Sequence, residues 1–95
     1  MKPYTEETIS QYVVIRTFSS DTDESELQWH WDEEDRLIEP LNENDWQFQF
    51  DNQIPQRIYK PIHISKGIIH RVIKGTTELI VKITKHYKTS KINSI

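Results

Sequence analysis

The 95-residue sequence contains no cysteine, only two glycines and four prolines. It also has no apolar run near the ~20 residues that a membrane span needs. Without cysteine, disulfide frameworks, thiolate zinc sites and thiol nucleophiles are excluded, so any chemistry depends on histidines, carboxylates and backbone groups. The N-terminal residues lack the apolar stretch of a signal peptide. We therefore expect a cytoplasmic protein with no membrane attachment.

Apolar residues are also scarce, at 35% of the chain, yet 11% of the residues are aromatic, including Trp29, Trp31 and Trp46. Large aromatic side chains build a core from few positions. A chain of this length buries roughly 60–65% of its unfolded surface, which permits one core and excludes a two-domain enzyme. We predict a single domain over residues 1–95, with an N-terminal arm over 1–9 and a flexible basic tail over 86–95.

The net charge of -3 conceals a division between the two parts of the chain. Residues 1–55 carry 3 basic and 14 acidic side chains, whereas residues 56–95 carry 9 basic and 1 acidic. This division favours acidic strands lying beside basic strands in one sheet. The lysines near the C-terminus are interspersed with threonine and serine and would give only weak, salt-sensitive anion binding. We therefore predict no specific nucleic-acid site.

The hydrophobic pattern indicates an all-β fold. Short segments rich in valine, isoleucine, threonine and aromatics alternate with polar clusters, and helical periodicity is almost absent. The pattern predicts about eight strands and no helix longer than one or two turns, with strand segments at 12–18, 27–32, 36–41, 46–51, 57–64, 68–73 and 79–84. The predicted core consists of Trp46, Phe48, Val72, Leu79, Val81 and Ile83.

Two short motifs carry a resemblance to a known family. The segment SKGIIH at 65–70 matches the Pro-x-Gly-x-x-His motif of cupins, with serine in place of proline, and His30-Trp31-Asp32 falls where cupins have His-x-His. Residues 26–84 therefore resemble a small single-domain cupin and are most similar to uncharacterised cupin-like proteins of tailed phages of marine cyanobacteria. The resemblance implies a double-stranded β-helix, or jelly-roll, barrel, and for a phage protein it implies the host cytoplasm.

The chain departs from the cupin pattern at the expected metal ligands. The glutamate that follows the first motif in cupins is missing, because the corresponding positions hold Arg36 and Leu37. The resemblance then leaves His30, Asp32 and His70, which is the composition of a two-histidine, one-carboxylate triad suited to divalent Fe, Mn, Ni or Zn. The alternative is that both histidines face the core and hydrogen-bond to Asp32, with no metal bound.

Three further residues are candidate ligand contacts. Arg36, if it points inward, would bind a carboxylate or phosphate in the pocket, whereas its alternative is an ion pair with a nearby acidic residue of the 32–35 cluster. Gln47 and Gln49 would offer uncharged hydrogen bonds inside the barrel, or they form the solvent face of a strand whose other face is aromatic. Period-2 alternation by itself does not choose between these two faces.

The outer surface suggests a partner. If His30 points inward, its neighbours Trp29 and Trp31 point outward and need cover, so we predict a homodimer. The leading interpretation of function is a cupin-like module that binds a small ligand and a divalent metal in its pocket. Two alternatives remain open: a phage accessory protein-interaction module with a vestigial pocket, and a metal-free cupin enzyme with a histidine as general base.

Overall fold

The computed structural model of the protein describes residues 2–87. These residues form eight strands and one short 3-10 helix at Glu24–Glu26, so the predicted all-β fold is confirmed. The strands are β1 Thr5–Thr8, β2 Val13–Phe18, β3 Arg36–Pro40, β4 Gln47–Phe50, β5 Gln56–Arg57, β6 Ile62–Ile64, β7 His70–Ile73 and β8 Leu79–Lys85.

The strands form two sheets with antiparallel pairing throughout. The larger sheet has the order β1-β2-β8-β3-β6, and the smaller sheet has the order β5-β4-β7. The inner faces share one core, which gives the two-layer jelly-roll arrangement expected from the sequence. Within residues 2–87 no strand is hydrogen-bonded to both sheets, so the predicted barrel is open along the edges where the sheets meet.

The core consists of alternate residues on the inner faces of both sheets, as period-2 patterning requires. Its buried members are Val14, Phe18, Trp46, Phe48, Ile58, Ile62, Ile64, Leu79, Val81 and Ile83. Five of the six predicted core residues are therefore buried. Val72 was expected among them but is only partly buried, packed against the core.

The strand predicted at 27–32 is not formed. Of these residues only His30 makes a β-bridge, exchanging both backbone hydrogen bonds with His70 at 3.0 and 2.9 Å. The preceding polar residues form the 3-10 helix, and the Asp23 side chain caps it by accepting a hydrogen bond from the Ser25 N–H. Because no ladder continues on either side of the bridge, the alternating pattern at 27–32 does not produce a strand there.

Both chain ends can be compared with the prediction. Within the predicted N-terminal arm, Thr5–Thr8 form β1, an edge strand paired with β2. At the other end β8 stops at Lys85, and residues 88–95 of the predicted basic tail lie outside the described residues. Over residues 2–87 no helix has the length and hydropathy to cross a bilayer. The segment predicted at 57–64 is divided in the structure, because β5 and β6 are separate strands on either side of Pro61.

Candidate metal centre

A cavity of about 420 Å³ lies between the two sheets. Most of its lining is apolar and comes from the core faces of the strands. Its charged and imidazole side chains are Arg16, Glu26, His30, Asp32, Arg36 and His70. This combination of an apolar lining with a few convergent polar groups is typical of small-molecule sites.

His70 is positioned by strand pairing and by the turn before it. It is the first residue of β7, where it pairs with Phe50 of β4, and its side chain is buried. The turn before it uses Gly67 with a φ of +80°, a conformation that glycine adopts without steric cost. The Gly67 N–H donates a hydrogen bond of 2.9 Å to the backbone oxygen of Asp32. The segment at 65–70 is thus joined to the segment at 30–32 by a backbone hydrogen bond.

The three predicted metal ligands converge. The rings of His30 and His70 have centroids 4.3 Å apart, and Asp32 Oδ2 lies 3.3 Å from His70 Nε2. Asp32 Oδ1 lies 3.9 Å from His30 Nε2. One donor atom from each residue can be chosen so that all three lie within 4.8 Å of one another. Residues forty positions apart in the sequence therefore form one cluster.

Each imidazole is oriented by a backbone carbonyl. His30 Nδ1 is 3.1 Å from the oxygen of Gln28, and His70 Nδ1 is 2.8 Å from the oxygen of Ile68. A carbonyl oxygen only accepts, so each Nδ1 carries the proton. In the neutral rings the free lone pair is then on Nε2, the nitrogen that faces Asp32 in both residues. This is the arrangement that orients histidines for metal ligation.

Asp32 supplies a buried carboxylate with spare hydrogen-bonding capacity. Its side chain is 8% exposed, and among residues 2–87 its Oδ2 atom has no hydrogen-bond partner. Burial by itself would raise the pKa of Asp32, but contact with His70 and the charge of Arg36 lower it overall. An ionised carboxylate that has one unsatisfied oxygen and faces two imidazole lone pairs fits a divalent cation.

The spacing of the donors shows what a cation would require. Two donors bonded to one ion at ~2.0–2.2 Å lie about 3–3.6 Å apart, because their bonds meet at roughly 90–110°. The present limit of 4.8 Å is longer. A divalent ion therefore requires the donor atoms to move together by about 1–2 Å, and rotation of the half-exposed His30 side chain is the movement that the surroundings restrict least.

Arg36 makes the ion pair that was one of its two expected roles, whereas anion binding by Arg36 stays a prediction. It lines the cavity, and it also pairs with acidic neighbours: its Nε donates to Glu34 Oε2 at 2.6 Å, and its Nη1 lies 3.4 Å from Asp32 Oδ1. The two oxygens of Asp32 thus have different surroundings. Oδ1 faces the guanidinium, and Oδ2 faces His70 and remains available to a cation.

The structure does not bring Gln47 and Gln49 to the cavity. Both lie on the side of β4 opposite the buried Phe48, and neither belongs to the described lining. Gln49 accepts a hydrogen bond of 2.9 Å from Arg71 Nε and donates one to the backbone oxygen of Gln53. The alternative of a solvent-side face is the one observed, because the aromatic residues of this strand take the core side.

Two charged cavity residues, Arg16 and Glu26, were not among the predicted site residues. Arg16 lines the cavity from β2, between the buried residues Val14 and Phe18. The signal was present, since an arginine flanked at i-2 and i+2 by buried apolar residues shares their face of the strand. It was not used, because the pattern of β2 alone does not say which face is the inner one.

Comparison with known proteins supports the fold. No protein-family model and no curated protein matches the sequence. Among solved structures, a cupin domain from Bordetella pertussis Tohama I aligns with TM-score 0.59 and 16% identity, covering 90% of this chain and 96% of its own.

Two further solved structures align with the chain. A cupin-2 domain containing protein from Shewanella frigidimarina NCIMB 400 aligns with TM-score 0.60 and 20% identity, over 87% of this chain and 80% of its own. Protein NMB1881 from Neisseria meningitidis aligns with TM-score 0.56 and 12% identity, over 86% of this chain and 80% of its own. At these identities the likeness concerns architecture, and the chain has a cupin-like fold.

Proposed function

We propose that the protein is a small-ligand-binding module whose cavity holds a divalent cation. The ligands are His30 Nε2, His70 Nε2 and one oxygen of Asp32. The single observation that carries the proposal is that both Nδ1 atoms face carbonyls while both Nε2 atoms face the buried Asp32 carboxylate, whose Oδ2, next to His70 Nε2, is unsatisfied. Three protein donors leave further coordination positions for a ligand, and the bound ion would act there as a Lewis acid.

The protein's own residues prepare this centre in three ways. The Gln28 and Ile68 carbonyls fix the imidazole tautomers, so no proton must move from Nε2 before a cation binds. Asp32 stays ionised and supplies the one negative charge among the donors. The mostly apolar cavity lining removes a bound ligand from water and strengthens its electrostatic contacts.

Metal analysis of protein purified without a polyhistidine tag tests the proposal. We expect a bound or readily bound divalent ion at one equivalent, and a rise in melting temperature when Mn, Fe, Ni or Zn is added to chelator-treated protein. His70→Ala and Asp32→Asn should abolish that rise. His86→Asn is the matched control, because His86 is an exposed histidine outside the cavity and asparagine tolerates its φ of 58°.

Two results would contradict the proposal. One is a melting temperature that no divalent ion changes, and the other is a metal response that survives both His70→Ala and Asp32→Asn. Either result would favour the alternatives of a vestigial pocket or a metal-free site in which His30 or His70 acts as general base.

A second candidate function is association through an apolar surface beside the site mouth. The exposed side chains Trp29, Trp31, Ile68 and Ile69 flank the two histidines that form the β-bridge. We propose that a second copy of this chain covers this surface, since a patch of this kind on a small domain favours association. Light scattering should give about twice the monomer mass of 11.4 kDa, and Trp31→Ser should shift the value to the monomer.

A monomer mass for the wild-type protein would contradict the proposed homodimer. It would leave the surface to a different protein partner, which is the accessory role that the resemblance to phage proteins implies. Pull-down from a host lysate with the wild-type protein and with Trp31→Ser would test that role.

A further inference from the structure

Arg16 faces the interior of the fold from the middle of the larger sheet. In the pairing of β2 with β8 it lies opposite the buried Val81, and its neighbours on the same face are Val14 and Phe18. Only 14% of its side chain is exposed. A guanidinium is rarely placed on an apolar inner face unless it has a partner there, so the position calls for an account of what Arg16 binds.

Two contacts position the Arg16 guanidinium, and neither of them uses its two terminal nitrogens. Its Nε donates to Glu6 Oε1 at 2.6 Å, and its plane lies 4.0 Å from the ring centre of Tyr4. Among residues 2–87 the Nη1 and Nη2 atoms form no hydrogen bond. These two atoms form the edge of the guanidinium that binds a carboxylate with two parallel hydrogen bonds.

The second cavity arginine is less suited to this role. Arg36 contacts two carboxylates, those of Glu34 and Asp32, so two negative charges already lie next to its single positive charge. Arg16 contacts the single carboxylate of Glu6. Moreover, Arg36 adjoins the metal centre, whereas Arg16 lies on a different strand and does not contact the three metal ligands. A ligand that reaches both groups would have two separate points of attachment.

We propose that Arg16 binds the carboxylate of the cavity's ligand, and that this ligand is a singly charged small molecule with an apolar body. The proposal rests on the proposed function, since it assigns the carboxylate of the bound ligand to one end of the same cavity. Glu6 neutralises part of the guanidinium charge, which suits a monoanion better than a dianion. The apolar lining residues, among them Phe48 and Leu79, suit an apolar body.

The test uses a matched pair of probes, 3-phenylpropionate and the uncharged 3-phenylpropionamide, with chelator-treated protein and with protein loaded with Mn. Binding is followed by protein-observed NMR. The acid should bind the wild-type protein in both metal states, and at least about tenfold more tightly than the amide. Arg16→Gln should remove this preference. Arg16→Lys should retain part of it, because lysine keeps the positive charge but cannot donate two parallel hydrogen bonds to a carboxylate.

Two controls keep the result interpretable. Arg57→Gln makes the same change of charge outside the cavity and should bind the acid like the wild-type protein. The response of Arg16→Gln to Mn reports the metal centre separately. If Mn binds Arg16→Gln normally while the preference for the acid is lost, both proposals are supported.

Three results would overturn the assignment of Arg16 while leaving the metal centre intact. They are equal binding of acid and amide by the wild-type protein, an unchanged preference in Arg16→Gln, and no binding of the acid at millimolar concentration. If instead the wild-type protein fails to bind Mn but still prefers the acid through Arg16, the metal part of the proposed function is wrong and the Arg16 site stands.

Discussion

The two halves of the candidate metal centre are built differently. His70 belongs to the ladder half: it starts β7, is 2% exposed, and stacks on the Phe48 ring at a centroid distance of 5.3 Å. His30 and Asp32 belong to the loop half, residues 27–35, which has no regular strand and is joined to β7 through the single bridge at His30. Half of the His30 side chain is exposed.

This difference assigns the two halves different tasks. The ladder half fixes one imidazole by packing and by strand pairing, so its position is set when the protein folds. In the loop half the His30 side chain is half exposed and can move at lower cost. The contraction of about 1–2 Å that a cation needs should therefore come from His30 and its neighbours, while His70 stays in place.

The largest effect should come from removing the support of the ladder half. Phe48 is 1% exposed and lies beneath His70. Phe48→Ala should lower the free energy of unfolding by about 3–5 kcal/mol, because it leaves a cavity under the imidazole. Glu33→Ala in the loop half is the control and should cost less than about 0.5 kcal/mol, since its side chain is exposed. Urea unfolding measures both values, and equal costs would remove the distinction between the halves.

The two histidines should differ in the absence of metal. His70→Ala removes a buried ring and the hydrogen bond to the Ile68 carbonyl, and should cost about 1–3 kcal/mol. His30→Ala removes a half-exposed ring and should cost less than about 0.5 kcal/mol. Thermal melts in the presence of a chelator give the comparison. A His30→Ala protein that is as destabilised as His70→Ala would show that the loop half is as rigid as the ladder half.

The turn that joins the halves should show a smaller effect. Gly67 has a φ of +80°, and an added Cβ would meet no atom within 4 Å. Gly67→Ala should therefore cost about 1 kcal/mol through backbone strain alone. Because the Gly67 N–H also binds the Asp32 carbonyl, amide exchange at Gly67 should accelerate in the variant. Unchanged stability and exchange would mean that this turn does not hold the loop half.

The smallest expected effect is the pH dependence that Asp32 contributes. Its pKa is lowered from the ordinary 3.8: burial opposes this shift, but contact with His70 and the charge of Arg36 outweigh it. The ionised carboxylate therefore stabilises the fold above pH 3.8, and that contribution is lost as the pH falls below it. Melting temperatures between about pH 5 and pH 3 should fall less steeply in Asp32→Asn than in the wild-type protein. Parallel curves would contradict the assignment.

The same contrast explains what the sequence could predict. The paired strands were predictable from the sequence. Phe48 and Val81 lie in segments where apolar and polar residues alternate, and this alternation identifies which side of the strand faces the core. The turn before His70 was predictable from Gly67. The failure at 27–32 has a physical cause: alternation of Leu27 with polar residues indicates a strand only if a neighbouring strand completes the ladder, and here just one bridge forms.

For the candidate site, the sequence predicted which residues come together but not how they are oriented. The motif resemblance predicted three ligands that the fold brings together, across forty residues of sequence. It did not predict the tautomers, since these depend on carbonyls placed by the local backbone. Nor did it predict Arg16, whose inward direction depends on the register between β2 and β8. Residue contacts that arise from register and loop geometry are not encoded in local periodicity.

A crystal structure of the tag-free protein grown with Mn, with anomalous scattering recorded for the ion, tests the central claim most directly. The account predicts one ion bonded to the Nε2 atoms of His30 and His70 and to an oxygen of Asp32, with both Nδ1 atoms still donating to the Gln28 and Ile68 carbonyls. It also predicts that His30 moves toward an unmoved His70. Absence of anomalous density between these residues at saturating Mn, or ligation through Nδ1, would contradict the account.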